Sequence, residues 1–368
     1  MIRFDTPVAD RGIQWLEEDG PDRDIVLSTR VRVARNLQGV PFSIRASAED
    51  RAQVRHRVEA ALTGSGALGE ADLWNIADLE PTERSLLVER HLVSRELVGT
   101  EDGPAPPGAA LALSRAATTG LMVNEEDHLR LQSLAGGLQL EVTWRRVDGL
   151  DEELGQHLPY AFHHEFGFLT SCPTNAGTGL RASVLIHLAG LVLTKEIARV
   201  LQGISQVGLT YRGLYGEGSQ VIGNFFQLSN QTTLGKSEEE LIDHLAKIVR
   251  RVIEYERNAR AVLVREAPAV LEDKVWRAYG ILRHARSLPA DELMNLLSGL
   301  RLGLTLKLLQ MPRVETLNRI MVFAQRAHLE RAQGRKLEDA EADVLRASYV
   351  RSMLSRDESA AEAASGES

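Results

Sequence analysis

The sequence predicts an α+β fold that divides into a mixed first part and an all-α second part. Up to about residue 265, strand-sized apolar runs such as Ile25–Leu27, Leu86–Val88 and Val184–Ile186 alternate with Gly-rich stretches and helical segments. From Ser237 to about residue 355, apolar residues recur at the three- and four-residue steps of amphipathic helices. The two parts therefore differ in their secondary structure.

Local signals identify several elements in the mixed part. Ser47 is a candidate N-cap for a helix over 48–63, and Asp50 is a weak capping-box partner three residues later. The Pro- and Gly-rich stretch 101–109 predicts a surface loop. The stretch 138–157 fits either a strand or a helix, because its periodicity does not decide between them.

The all-α part is predicted to begin at Ser237, which three glutamates follow as in the first turn of a helix. Pro268, Pro289 and Pro312 interrupt the helical pattern. The apolar stretch 293–309 suits either the core of an intramolecular bundle or a homodimer interface. The chain is therefore predicted to divide into four regions, 1–20, 21–236, 237–355 and 356–368. The last region is rich in Ser, Ala and Glu and is predicted to be disordered.

Composition and charge exclude several classes of protein. The 368 residues are 43% apolar and 26% charged, which allows a sizeable core. The formal net charge of −8 makes a nucleic-acid-binding protein unexpected. There is no apolar run suited to a membrane span or a signal peptide, so we expect a cytoplasmic protein that does not bind membranes. The single cysteine, Cys172, excludes an intramolecular disulfide.

Two segments concentrate charges that packing alone does not require. In Ser28–Arg32, Arg30 and Arg32 lie on one face of an extended segment, where a phosphate would fill the space between their guanidinium groups. A solvated edge strand explains this segment equally well. In Asn124–Arg130, three consecutive carboxylates would hold a cationic substrate or accept its proton. Taken alone, this second segment is more simply explained as a charged turn.

Two further segments are rich in glycine. The segment Cys172–Ser183 would bring main-chain N–H groups close to an anion, but it lacks the Lys of a P-loop. Its Cys172 is either a thiol whose thiolate a cation such as Arg181 favours or a small buried apolar residue. The segment Arg212–Gln220, with Glu217 near its centre, is either a nucleotide lid or an ordinary surface loop. Together, the four segments fit phosphoryl transfer from a nucleotide to a cationic nucleophile.

Four motifs, in this order, resemble those of the ATP:guanido phosphotransferase family: Leu27–Arg32, Asn124–Arg130, Cys172–Thr178 and Arg212–Glu217. The resemblance implies a catalytic domain with a mainly antiparallel sheet flanked by helices. Within the family, the chain is most similar to the bacterial protein arginine kinases. The Ser28–Arg32 motif comes too early to follow the N-terminal helical domain of phosphagen kinases, and a helical region of about 120 residues follows the catalytic part. The implied activity transfers the ATP γ-phosphoryl group to protein arginine side chains, in protein quality control or stress response.

The resemblance also assigns roles to residues of this sequence. Glu126 matches the catalytic carboxylate, with Glu125 beside it; Glu217 matches a second carboxylate, and Cys172 matches the active-site cysteine. The arginines are expected on the phosphates of ATP. The residues implied to bind the nucleotide are Ser28, Thr29, Arg30, Val31, Arg32, His91, Arg130, Arg181, Ala182, Ser183, Val184, Leu185, Arg212, Gly213, Leu214, Tyr215, Gly216 and Glu217.

The implied cofactors are ATP and Mg²⁺, with no protein ligand predicted for the metal. The implied partners, besides arginine-bearing protein substrates, are a zinc-binding activator, a heat-shock repressor and a Clp-type protease. A phosphoarginine regulatory site would comprise Asp343, Arg346 and Ala347. Ala342 stands where that motif has its leading Arg, so this regulation would be weaker or absent.

Two other functions stay open at this point. The first is a kinase for a small guanidino metabolite. Gln220, which replaces the substrate carboxylate of the phosphagen kinases, and the missing N-terminal helical domain count against it. The second is a non-catalytic adaptor that binds phosphoarginine or nucleotide, which the full set of catalytic motifs disfavours.

Overall fold

A computed structural model describes residues 2–3, 13–17, 19–66, 68–100, 103–213 and 221–366. Within these ranges lie eleven strands: β1 (Ile2–Arg3), β2 (Val26–Arg35), β3 (Ala71–Asn75), β4 (Ala110–Ser114), β5 (Thr119–Val123), β6 (Leu129–Gly136), β7 (Phe162–His163), β8 (Gly167–Phe168), β9 (Leu180–His187), β10 (Leu209–Arg212) and β11 (Phe225–Asn230). The same ranges hold thirteen α-helices: α1 (Gln14–Glu17), α2 (Ala48–Ser65), α3 (Pro81–Glu89), α4 (Arg95–Val98), α5 (Leu140–Gly155), α6 (Ala189–Leu193), α7 (Ile197–Gln206), α8 (Glu238–Glu266), α9 (Pro268–His284), α10 (Ala290–Thr305), α11 (Val314–Phe323), α12 (Arg326–Gln333) and α13 (Asp339–Gly366).

The described strands form one large sheet and one small hairpin. The sheet order is β1-β3-β4-β5-β6-β2-β9-β11-β10, and its pairs are antiparallel apart from β1 with β3. Strands β7 and β8 pair separately. Helices α2, α5, α7 and α8 contribute to the hydrophobic core that covers one face of the large sheet. The predicted α+β fold with a mainly antiparallel sheet is confirmed.

The ambiguous stretch 138–157 is helical. Leu140, Trp144, Val147, Leu150 and Leu154 are buried at three- and four-residue steps, so they form one apolar stripe of α5 against the sheet. This stripe favours the helix because a strand would place Val147 on the opposite face from the other four residues.

The strand suggested by the run Leu86–Val88 is wrong, because this run lies in α3. Pro81 occupies the first turn, where its missing N–H costs nothing. Glu80 and Glu83 each accept a hydrogen bond from the other's main chain, which closes a capping box. These helix-start signals outweigh the short apolar run.

The second part of the chain is helical, as predicted. Ser237 and Glu240 form the capping box of α8, and Pro268 lies in the first turn of α9. Leu293, Leu297 and Leu300 of α10 are buried in a core built from α9, α10, α11 and α13. The stretch 293–309 therefore packs inside the chain; the boundary at 236/237 and the homodimer stay predictions. Within the described residues, no helix combines the length and apolar character that crossing a membrane requires.

Helix α13 continues past residue 356, where the sequence predicts a disordered tail, and ends at Gly366. Asp357 is only 3% exposed. Its carboxylate accepts hydrogen bonds from the main-chain N–H of Arg313 (2.6 Å) and the Thr316 hydroxyl (2.9 Å), at the start of α11. Glu358 forms an ion pair with Arg283 at 2.7 Å. The low-complexity sequence did not reveal these contacts because Arg283, Arg313 and Thr316 lie far away along the chain.

We expect Asp357→Ala to lower the free energy of unfolding by about 1–3 kcal/mol, since it leaves the Arg313 main-chain N–H and the buried Thr316 hydroxyl without their acceptor. Urea unfolding of the full chain measures the change. Ser352→Ala, at an exposed position of the same helix, is the control and should leave the midpoint in place. An Asp357→Ala midpoint equal to that of the wild type would show that the end of α13 does not stabilise the fold.

Candidate active site

Strands β2 and β9 place arginines together on one face of the sheet. Arg32 lies opposite Arg181, and Arg30 lies opposite Ser183, in the antiparallel register of these strands. Side chains alternate between the two faces of a strand, so the neighbouring Val31 faces the core. The arginine face therefore follows from the alternation of the sequence combined with the register of the two strands.

A cavity of about 670 Å³ opens on the arginine face. Residues from widely separated segments line it, and most of those with charged side chains are arginines. The predicted site residues that line the cavity are Arg30, Arg32, His91, Glu125, Glu126, Arg130, Arg181 and Arg212.

Burial and mutual repulsion disfavour the positive charges in this cavity. Burial, followed by the charges of Arg181 and Arg130, lowers the pKa of Arg30 to about 10. The pKa of Arg32 falls well below its usual value, first through burial and then through the charge of Arg30. The buried Nε of Arg32 has no hydrogen-bond partner within the described residues. An anion bound between these guanidinium groups would relieve the repulsion and satisfy that donor.

The two glutamates before Arg130 have different environments. Glu125 is buried, pairs with the Arg130 guanidinium and accepts a hydrogen bond of 2.5 Å from the Ser94 hydroxyl. Glu126 is 43% exposed and lies 3.1 Å from Arg130 Nη2. Burial raises the pKa of Glu126, although the charge of Arg130 partly offsets this effect. Glu125 is therefore a fixed structural anion, whereas Glu126 is the carboxylate that incoming groups can reach.

His91 forms part of the cavity wall as a neutral group. Burial and the nearby charge of Arg30 lower its pKa to about 3. Its ring packs edge-on against Trp15, and its backbone has a φ of 58°, a value few residues with a side chain adopt. His91 is thus an uncharged donor or acceptor at neutral pH.

The Gly-rich loop before β9 approaches the cavity, but its cysteine does not line it. Asn175 and Gly179 are lining residues, while Cys172 contacts the Thr174 hydroxyl at 3.0 Å. Gly179 has a φ of 65°, and a Cβ there would lie 2.6 Å from the carbonyl oxygen of Ala34. A side chain at this position would push the loop away from β2, so glycine is required.

Several residues predicted to bind nucleotide have side chains that point away from the cavity. Val31, Ala182 and Val184 are in the hydrophobic core, and the Thr29 hydroxyl donates to the carbonyl oxygen of Gly137 at 2.7 Å. The prediction assigned every residue of these segments to the nucleotide, whereas every second side chain of a strand points to the opposite face of the sheet. Ser28, Ser183 and Leu185 line a small cavity of about 20 Å³ that shares Arg30 and His91 with the large one.

The predicted residues after Arg212 are only partly described. Gly213 directly follows β10 and is buried. Leu214, Tyr215, Gly216 and Glu217 lie outside the described residues.

The predicted regulatory residues in α13 are engaged in structural contacts. Arg346 is 4% exposed and donates to the carbonyl oxygens of Ala324 and Leu288, both at 2.9 Å. Asp343 accepts a further hydrogen bond from Arg346 at 2.5 Å, and Ala347 is buried. A ligand would have to displace these hydrogen bonds to bind Arg346, so a regulatory role stays a prediction.

Sequence reasoning missed several residues that line the cavity. Arg51 comes from α2 and Gln227 from β11, next to Arg212 in the register of β10 and β11. Ser94, which holds Glu125, also lines it. These residues lie outside the four motifs, so nothing local in the sequence marks them. Asn124 was within a motif, and its φ of 57° suits the turn that presents the two glutamates.

Comparison with known proteins identifies the family of this chain. The profile of the ATP:guanido phosphotransferase C-terminal catalytic domain matches residues 53–259, more than half of the chain. The chain belongs to the ATP:guanido phosphotransferase family. A second profile, the protein-arginine kinase McsB C-terminal domain, matches residues 268–365, so the guanido phosphotransferase profile and a helical-region profile together span most of the chain.

Relatives and solved structures agree with this assignment. A protein-arginine kinase of Pelotomaculum thermopropionicum is 44% identical over 340 residues, which cover 92% of this chain and 94% of the relative. One of Symbiobacterium thermophilum is 45% identical over 345 residues, 93% of this chain and 96% of the relative. The duplicated taurocyamine kinase from Schistosoma mansoni with bound transition state analog components has a TM-score of 0.59 at 27% identity. The match covers 67% of this chain and 36% of that one. The chain is thus similar to proteins named protein-arginine kinases over more than nine-tenths of its length.

Proposed function

We propose that this chain transfers the γ-phosphoryl group of ATP to the guanidino group of arginine side chains in proteins. The observation that carries the proposal is one cavity in which a cluster of arginines adjoins the reachable carboxylate of Glu126. The resemblance in sequence to protein-arginine kinases over most of the chain supports the choice of protein arginine as acceptor. Roles in stress response and contacts with other proteins stay predictions.

The arginine cluster would bind the phosphates of ATP. Arg30, Arg32 and Arg181 converge from two paired strands, and each guanidinium can hold a phosphate oxygen pair. Their charges would stabilise the negative charge that spreads over the γ-phosphoryl oxygens in the loose transition state. Because these groups already repel one another, nucleotide binding gains free energy from the relief of that repulsion.

The divalent metal of the reaction would arrive with the nucleotide. Among the described residues, no group of three or more His, Cys, Asp or Glu side chains is placed to hold a metal ion. Mg²⁺ would be held mainly by phosphate oxygens and water, with the protein supplying few ligands. When bound, the ion would neutralise phosphate charge alongside the arginines.

Glu126 would act on the substrate guanidinium. That group has no free lone pair while it is protonated, so it must lose a proton before its nitrogen attacks phosphorus. Glu126 would orient the guanidinium by an ion pair and accept that proton as the N–P bond forms and the bond to ADP breaks. Glu125, held by Arg130 and Ser94, would keep Arg130 in place beside it. Glu217 and Cys172 stay predicted contributors.

Mass spectrometry of intact proteins tests the proposed function. We expect the full chain with ATP and Mg²⁺ to add acid-labile phosphate to arginines of an arginine-rich protein. A parallel screen offers free arginine, creatine, taurocyamine and lombricine as acceptors. Phosphorylation of these small compounds without phosphorylation of protein would refute the proposal and favour the metabolite kinase.

A further inference from the structure

A buried contact joins the helical part of the chain to the wall of the nucleotide cavity. Glu89 is the last residue of α3, and its carboxylate meets the first turn of α12. It accepts hydrogen bonds from the main-chain N–H groups of Ala327 (2.9 Å) and His328 (3.3 Å). These two segments lie 238 residues apart in the sequence. The contact therefore exists only through the tertiary fold.

Glu89 takes the place of a missing N-cap. Gln325, the N-cap residue of α12, makes no side-chain capping hydrogen bond. The free N–H groups of a helix start need an acceptor, and the positive end of the helix dipole favours a carboxylate there. The Glu89 carboxylate supplies the acceptor and the negative charge from another part of the chain, so α12 and the end of α3 hold each other in place.

His328 extends this contact to the cavity wall. Its Nδ1 lies 2.8 Å from the Glu89 carboxylate, which can only accept while ionised, so Nδ1 carries the proton. Nε2 is then the acceptor for Arg90 Nε at 3.2 Å. The ring is also edge-on to Phe323, which lies beneath the Arg90 guanidinium. One neutral histidine thus fixes both residues at the end of α3.

The residues that follow Arg90 build one wall of the cavity. His91, Val93, Ser94 and Arg95 all line it, and Val88 lines it from the preceding turn. Ser94 also holds the Glu125 carboxylate. A shift of Glu89 and Arg90 would therefore move this wall and loosen the support of the ion pair between Glu125 and Arg130.

We propose that Glu89 and His328 are positioning residues for nucleotide binding, through which helix α12 holds the cavity wall formed by residues 88–96. The inference rests on the proposed function only for the identity of the ligand, ATP. It makes the helical part of the chain a structural component of the nucleotide site. Loss of the contact should weaken ATP binding more than it slows the chemical step, because the pairing of β2 with β9 still holds Arg30, Arg32 and Arg181.

The test compares variants of the full chain by calorimetric titration with ATP and Mg²⁺ and by steady-state kinetics. Glu89→Ala should weaken ATP binding by about tenfold and raise the KM for ATP correspondingly, with a small change in kcat. Arg331→Ala, at an exposed position of α12, should match the wild type.

Histidine variants separate positioning from folding. His328→Asn keeps a donor towards Glu89, and His328→Gln keeps an acceptor towards Arg90, so both should bind ATP better than His328→Ala. Unchanged ATP affinity in every folded variant would overturn the inference, and these milder variants decide it if Glu89→Ala does not fold. If the wild type binds ATP but leaves protein arginines unmodified, the proposed function fails while the titration still decides the role of α12.

Discussion

Glu126→Gln is expected to slow phosphoryl transfer to protein arginine by about 10²–10⁴-fold, the usual range for loss of a positioned general base. The substitution keeps the size of the side chain and its hydrogen bond with Arg130, but an amide cannot accept the substrate proton. Affinity for ATP should change little, because the arginines of β2 and β9 remain. Quantitative mass spectrometry of phosphoarginine, together with an ATP titration, measures both quantities.

The fall in activity at low pH provides a second test of the role of Glu126. Burial raises the pKa of Glu126, and the ionised form is the active one. Activity is therefore present above this raised pKa and is lost as the pH falls through it, starting at a higher pH than an ordinary glutamate would give. Glu49→Gln, at an exposed position of α2, should keep both the rate and the acid limb. A Glu126→Gln enzyme within a few-fold of wild-type activity would contradict the proposed role.

Arg32→Gln is expected to change stability and function in opposite directions. The folded chain disfavours the charge of Arg32, through burial and the neighbouring Arg30, and its Nε has no partner in the described part of the chain. Removing the charge should raise Tm by a few degrees in the absence of nucleotide. The same change should lower kcat/KM for ATP by about 10²–10³-fold, because one contact to the transition-state charge is lost.

Thermal unfolding with and without ATP tests the predicted gain in stability and the predicted loss of ATP binding in one experiment. ATP should raise Tm of the wild type by mass action, and this increase should nearly disappear in Arg32→Gln. Arg250→Gln, at an exposed position of α8, removes a charge outside the cavity and should show neither effect. A lower Tm in Arg32→Gln would show that Arg32 stabilises the fold, contrary to the electrostatic argument.

Local sequence signals predicted the parts of the fold that depend on neighbouring residues. The capping box at Ser47 formed as expected and α8 begins after Ser237 as predicted, since both signals lie within three residues. The alternation around Arg30 and Arg32 placed both guanidinium groups on one face, as an extended segment requires. A local signal gave a wrong prediction at Leu86–Val88. This short apolar run suggested a strand, but the capping box of α3 favours a helix there.

By itself, the sequence determined the family, the order of the motifs and which residue types could carry phosphoryl transfer. The tertiary structure alone decided that Arg32 faces Arg181, that Glu125 is buried while Glu126 is reachable, and that Glu89 caps a helix 238 residues away. The physical reason is distance along the chain, because helix caps and hydrophobic periodicity depend on residues within one or two helical turns. Strand register and burial instead depend on how distant segments pack, which no local pattern records.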